Sequence, residues 1–252
     1  MPYLTQNEIE AIARRVVSAY QRLPIHNGYA CWYIDPDLLA TELLGLKVEY
    51  HALSPDGRIH GLTVFSEAEI PIYDDPEKPM TFLLDGKTIL VEQKLIESYA
   101  YYGRWHFTVA HETSHQIYRM LFPKEYMTGV RCRTVHYDTT APRSPDDWEE
   151  WRTDVLASAI LMPEDILRYH MKKVGLAEKL TMLHRACNEY RPFYRVAINM
   201  GVSTAALALR MKRLGLLDSY YLGDPNDLIT AIVDEDETVE VKKWRSQCLE
   251  SV

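Results

Sequence analysis

Cysteine is scarce in this chain. The four present, Cys31, Cys132, Cys187 and Cys248, form no CxxC pair. That excludes a zinc knuckle and a dense disulfide framework, and leaves reduced thiols in a cytosolic protein as the expectation. No apolar run approaches the roughly 20 residues that span a bilayer. The first residues carry no charged segment leading into an apolar core, so neither a secretory signal nor a membrane partner is expected and the location read from the sequence is cytoplasmic. An excess of basic charge is missing too. Lys and Arg number 28 against 36 Asp and Glu, a net charge of −8, and a protein that coats nucleic acid needs a basic face. Repeats and low-complexity linkers are also absent.

What is present reads as an ordinary globular chain, with 47% apolar and 25% charged residues over 252 positions, enough for one large domain or two small ones. Thr5-Gln-Asn-Glu8 is a capping box, followed by apolar residues at helical spacing, and predicts a helix over 6–22. Asp35-Pro36 opens a second, short helix that Gly45 closes. Strand patterns follow at Leu46–Tyr50 and Leu62–Phe65. Thr81–Leu84 and Thr88–Val91 flank Asp85-Gly86, which predicts a tight hairpin. Helices are expected from about residue 96 to Leu217. They are interrupted by a polar stretch, 124–144, read as loop, after which Ser144-Pro145-Asp146-Asp147 starts a helix ending at Met162-Pro163.

His111-Glu112-Thr113-Ser114-His115 matches HExxH on one of these helices. Residues four apart lie about 40° apart around a helix and roughly 6 Å along it, so both imidazoles can reach one ion. Zinc held there acidifies a water towards a pKa of about 7 and polarises a carbonyl. Glu112, pointing to the side, is placed to take the water's proton and deliver it to a leaving amine.

A catalytic zinc normally has three protein ligands and an open position. The metzincin third histidine is excluded, because Leu121 and Tyr118 occupy the positions of that histidine and of the glycine before it. A glutamate on a later helix is the alternative, and Glu150-Trp-Arg-Thr-Asp154 supplies one. Glu150 and Asp154 share a helix face, so Glu150 can bind the metal while Asp154 accepts the free N–H of a ligand histidine. Glu149 competes as ligand but has no carboxylate four residues on. An ordinary acidic helix start would explain 146–150 without a metal, though not Asp154 among Val155, Leu156 and Ala157.

Together these stretches resemble the ImmA/IrrE family of zinc metallo-endopeptidases. Thr88-Ile-Leu-Val-Glu92 and Arg104-Trp-His-Phe-Thr-Val-Ala-His-Glu112 are similar to the family's strand and its helix carrying the first ligand. The segment Glu150 to Pro163 is similar to its third-ligand helix. Gly201-Val-Ser-Thr through Gly215 is similar to the helix that follows, and Asp37–Leu53 to the family's opening. The likeness covers roughly 35–217. Ser114 stands where glycine is usual, Thr153 where alanine is common, and Leu156 where phenylalanine is usual. The resemblance implies limited proteolysis of a transcriptional repressor as the protein substrate.

The expected fold is therefore α+β and zincin-like, with a small, mostly antiparallel sheet packed on helices and a helical C-terminal part. The expected divisions are 1–34 (helix and linker), 35–170 (metallopeptidase domain), 171–222 (helix-turn-helix-like part) and 223–252 (acidic tail, with a short hairpin). Arg210 is a candidate for stabilising the oxyanion, with a salt-bridge role as its alternative. His106 is out of phase with His111 and reads as structural, and His136 and Tyr137 as loop residues. A peptide substrate is expected to add as a strand along Thr88–Glu92. The rival functions are a metal-binding scaffold without hydrolysis, and a DNA-binding regulator using Val202–Gly215, which the −8 charge disfavours.

Overall fold

The computed structural model describes residues 4–125, 130–134 and 145–223. Helix α1 (Gln6–Tyr20) starts at the predicted box: the Thr5 hydroxyl accepts from Glu8 N–H, and Glu8 accepts from Thr5 N–H. It ends before the predicted residue 22, where the chain turns into a short 3-10 segment, Pro24–His26. Asp35 caps α2 (Pro36–Leu38), accepting from Asp37 and Leu38 N–H at 2.9 and 3.1 Å. A π-helical turn, Leu39–Leu43, extends it, and Gly45, at φ +64°, lets the chain leave.

Strands β1 (Lys47–His51), β2 (Ile59–Val64), β3 (Glu67–Ile72), β4 (Met80–Asp85) and β5 (Thr88–Glu92) follow, with β6 (Val130–Thr134) later in the chain. The main sheet has the order β1-β5-β2-β6. β5 runs parallel to β1, and β2 is antiparallel to both neighbours. β3 and β4 form a separate antiparallel hairpin.

Three expectations are corrected here. Asp85-Gly86 does turn tightly, with Gly86 at φ +77° and the Asp85 carboxylate accepting from Lys87 N–H and the Thr88 hydroxyl, yet the strands it joins enter different sheets. The reason lies in β5, whose five residues are all buried: a run apolar on both faces belongs inside a sheet, not in an edge hairpin. For the same reason Thr88–Glu92 cannot receive a substrate strand, since both its sides are already paired. Finally, β6 lies in the stretch read as loop. Val130-Arg-Cys-Arg-Thr alternates with the period of a strand, a signal obscured by its polar surroundings.

Helix α3 (Tyr102–Leu121) crosses one face of the main sheet, where Val109 packs with Ala40, Leu46, Ile89 and Val91. The β3–β4 hairpin covers the other face, with Ile72 and Leu84 against Leu62, Val64 and Leu90. Beyond it come α4 (Pro145–Leu161), α5 (Glu164–Val174), β7 (Leu180–His184), α6 (Tyr190–Asn199), α7 (Thr204–Arg213) and β8 (Leu217–Tyr221). β7 and β8 pair in parallel, where the sequence predicted helices alone. Ile9 and Val17 of α1, Leu156 and Ile160 of α4, Phe193 of α6 and Leu207 of α7 share one buried cluster, so the three stretches 1–34, 35–170 and 171–222 contribute to a common core. The described chain is α+β. No described helix is long and apolar enough to cross a membrane. His136, Tyr137 and the acidic tail from 224 onward lie outside the described residues.

Candidate metal centre

The predicted residues meet where α3 and α4 pack. His111, Glu112 and His115 sit mid-helix on α3 and are at most 1% exposed. His111 Nε2 and His115 Nε2 stand 3.2 Å apart. Glu150 reaches from α4 between them, Oε2 lying 3.0 Å from His111 Nε2 and Oε1 3.3 Å from His115 Nε2. On the outer side, His111 Nδ1 is 2.9 Å from Asp154 Oδ1. Glu149 does not share the Glu150 position. Its Oε1 lies 3.8 Å from His115 Nδ1, on the far side of that ring.

This donor set fits a small divalent cation. A carboxylate can only accept, so Asp154 calls for the proton on His111 Nδ1 and leaves Nε2 as a bare lone pair. Two imidazole nitrogens and a carboxylate then converge with lone pairs inward, an arrangement that a positive charge between them relieves. Tetrahedral coordination at Zn–N distances of 2.0–2.1 Å has ligand–ligand edges of about 3.3 Å, close to the spacings found. His111, His115 and Glu150 form the one such cluster of potential metal ligands among the described residues.

The electrostatics point the same way. Burial pushes the Glu150 carboxyl up, but hydrogen bonds and charge from His111 and His115 outweigh it and hold the group well below the usual range. Burial lowers His115 below the ordinary imidazole value, opposed by its hydrogen bond to Glu150. Those hydrogen bonds come from imidazole N–H groups of the metal-free site, so Glu150 is already ionised there and a cation would take the place of the protons between the three groups.

Glu112 lies under β2. A Cβ built on Gly61 would come 2.7 Å from Glu112 Oε1 and 2.9 Å from its Cγ, so the strand leaves room for this carboxylate by having no side chain there. Gln116 fixes the helix to the same strand, donating to Thr63 Oγ1 at 2.6 Å and Val64 O at 2.9 Å. Sequence reasoning missed Gly61, although a lone glycine inside a strand pattern is a signal of close approach. The Ser114 hydroxyl donates to Ala110 O at 2.7 Å and stays within its own helix.

Arg210 is elsewhere. It is buried at 1% exposure, donates from Nε to Met162 O at 3.0 Å, and pairs with the Glu10 carboxylate through both terminal nitrogens. Met162 lies twelve residues beyond Glu150, about 18 Å along α4 at 1.5 Å per residue. The oxyanion role is therefore corrected to its alternative, an ion pair binding α7 to α1. The same geometry turns Arg210 inward, so that of the cations Arg210, Lys212 and Arg213 on the supposed DNA-recognition helix one is taken up in the core. His106 is buried against Tyr33 and the Gly201 carbonyl, with Nδ1 3.0 Å from the Tyr33 hydroxyl and 3.1 Å from Gly201 O. Comparison of the sequence with protein-family models and with curated proteins finds no match.

Proposed function

We propose that this chain is a zinc-dependent endopeptidase of the ImmA/IrrE kind, with a zincin-like site, acting on a protein substrate. The observation that carries the reading is a three-residue donor set at tetrahedral spacing, with a fully buried glutamate next in sequence to the first ligand. In it His111, His115 and Glu150 hold the metal, and Asp154 orients His111. A bound zinc supplies Lewis acidity towards a carbonyl and acidifies a water. Glu112 takes the proton of the attacking water and passes it to the leaving amine. A scaffold without hydrolysis has no use for a carboxylate held in a cleared space beneath a strand. A peptide paired to the main sheet has β6 as its natural neighbour, because β6 is the outer strand beside β2, and β2 lies over Glu112. The substrate we favour, a transcriptional repressor in the cytoplasm, comes from the family resemblance.

The test has two arms. Protein purified without chelator is expected to hold one zinc per chain, and finding no tightly bound transition metal would overturn the reading. Glu112→Gln is expected to keep zinc and fold while cleavage of a repressor encoded beside this gene falls about 10²–10⁴-fold. Cleavage at the wild-type rate would remove Glu112 as the base.

A further inference from the structure

Thr153 stands where alanine is common in the resembled family, and it is completely buried. Its Oγ1 is 3.0 Å from Glu149 O, one turn back on α4, and 3.4 Å from His115 Nδ1. A carbonyl oxygen can only accept, so the hydroxyl proton goes to Glu149 O. What Oγ1 turns towards His115 is then a lone pair. The Glu149 carboxylate, 3.8 Å from the same nitrogen, adds negative charge beside that nitrogen. Both groups can receive a proton from Nδ1, and neither is set to give one.

We propose that Thr153, backed by Glu149, is a positioning residue for His115. It keeps the proton on Nδ1 and so leaves Nε2 bare towards His111 and Glu150, as Asp154 does for His111 on the other side. Helical spacing on α4 provides both supports. Glu149 and Thr153 are four residues apart in one column, and Glu150 and Asp154 occupy the next. The two histidines of α3 are thus each oriented from α4, one by a carboxylate at hydrogen-bond distance and one by a hydroxyl with a carboxylate close to the same nitrogen. The inference rests on the metal-site reading above but not on hydrolysis.

The experiment is zinc affinity of the full chain, measured by competition with a chromophoric chelator. Wild type is compared with Thr153→Val, which keeps the shape and loses the acceptor, and Thr153→Ser, which restores it. Melting of the zinc-free proteins is followed in parallel. Loss of a partner behind a ligand histidine typically costs about 10–100-fold in affinity, and a neutral hydroxyl belongs at the lower end. Thr153→Val is therefore expected to bind zinc about tenfold more weakly, Thr153→Ser to match wild type, and the zinc-free melting points to stay together. Nitrogen–proton NMR of the zinc-free protein should find a His115 proton on Nδ1. Wild-type affinity in Thr153→Val, a proton on Nε2 alone, or a loss of affinity in both variants that follows a loss of zinc-free stability would each overturn the proposal. A wild-type chain that binds no zinc would instead overturn the metal reading on which it stands.

Discussion

Gly61→Ala probes how the candidate base is seated. The added Cβ would lie 2.6 Å from Thr108 Cγ2, 2.7 Å from Glu112 Oε1 and 2.9 Å from Glu112 Cγ. Non-bonded carbons rest at about 3.5–4.0 Å, so both overlaps call for a shift of about 1 Å. Thr108 is poorly able to move, being β-branched, in mid-helix and 1% exposed. The strand must therefore lift from Thr108, and Glu112, the flexible side chain, is pushed from its seat as well. Displacing a reacting group by 1 Å can cost about 10²-fold in rate, and overpacking a core typically costs about 1–3 kcal/mol. For a chain of this size each kcal/mol lowers the melting temperature by about 2–4 °C. The three nearest atoms belong to Thr108 and Glu112, none to a metal ligand, so zinc affinity should hold. The expected pattern is a kcat about 100-fold down, a modest fall in melting temperature and unchanged zinc binding. Cleavage kinetics, thermal melting and chelator competition on one preparation read all three. A folded, zinc-loaded Gly61→Ala protein cutting at full rate would refute the reasoning, because the base would then not depend on the space beneath β2.

Asp154→Ala should weaken zinc binding by about 10–100-fold while all three ligands remain, and unchanged affinity in chelator competition would separate Asp154 from the metal. Arg210→Met should destabilise the fold by about 3 kcal/mol, at the low end for breaking a buried pair because Glu10 keeps 18% of its side chain exposed. It should leave zinc binding intact, and a stable Met variant that no longer cleaves would return Arg210 to the catalytic machinery. Burial holds His106 below the ordinary imidazole value, outweighing its bond to the Gly201 carbonyl. Below a pH of about 6.5 the unfolded chain therefore takes up a proton that the folded chain resists, and stability should fall as pH drops through and below that value. His106→Asn should flatten the fall in melting temperature between about pH 7 and pH 5.5, whereas parallel curves would remove His106 from the account.

The contacts legible in the sequence were those set by local helical spacing. His111 and His115 share a face because they are four apart, and so do Glu150 and Asp154. Once both pairs are helical, their meeting needs only that α3 pack on α4. Gly61, Thr153 and Glu149 were not assigned their neighbours because the relevant contacts cross between elements, and spacing along one chain segment does not encode distance to another. Arg210 was misplaced for the same reason. Its partner Glu10 is far away in sequence, and nothing around either residue advertises the pairing. In the sheet, the apolar run of β5 was read correctly as a strand, but the turn chemistry of Asp85-Gly86 overrode the composition that marked it as interior. β6 was hidden by the polarity of its surroundings although its own alternation was sound.

The ion pair of Arg210 with Glu10 joins residues 200 positions apart. A ribosome adding about 5–20 residues per second takes roughly 10–40 s to cover that distance. During this interval Ile9, Ala13 and Val17 of α1 have been made, while Phe193 and Leu207, which share their cluster, have not all been added. Helix α1 can dock on α4 well before that, through Leu156 and Ile160 of the same cluster. Its tie to α7 closes only after Arg210 has been added, so the ion pair is a late lock on a helix made much earlier.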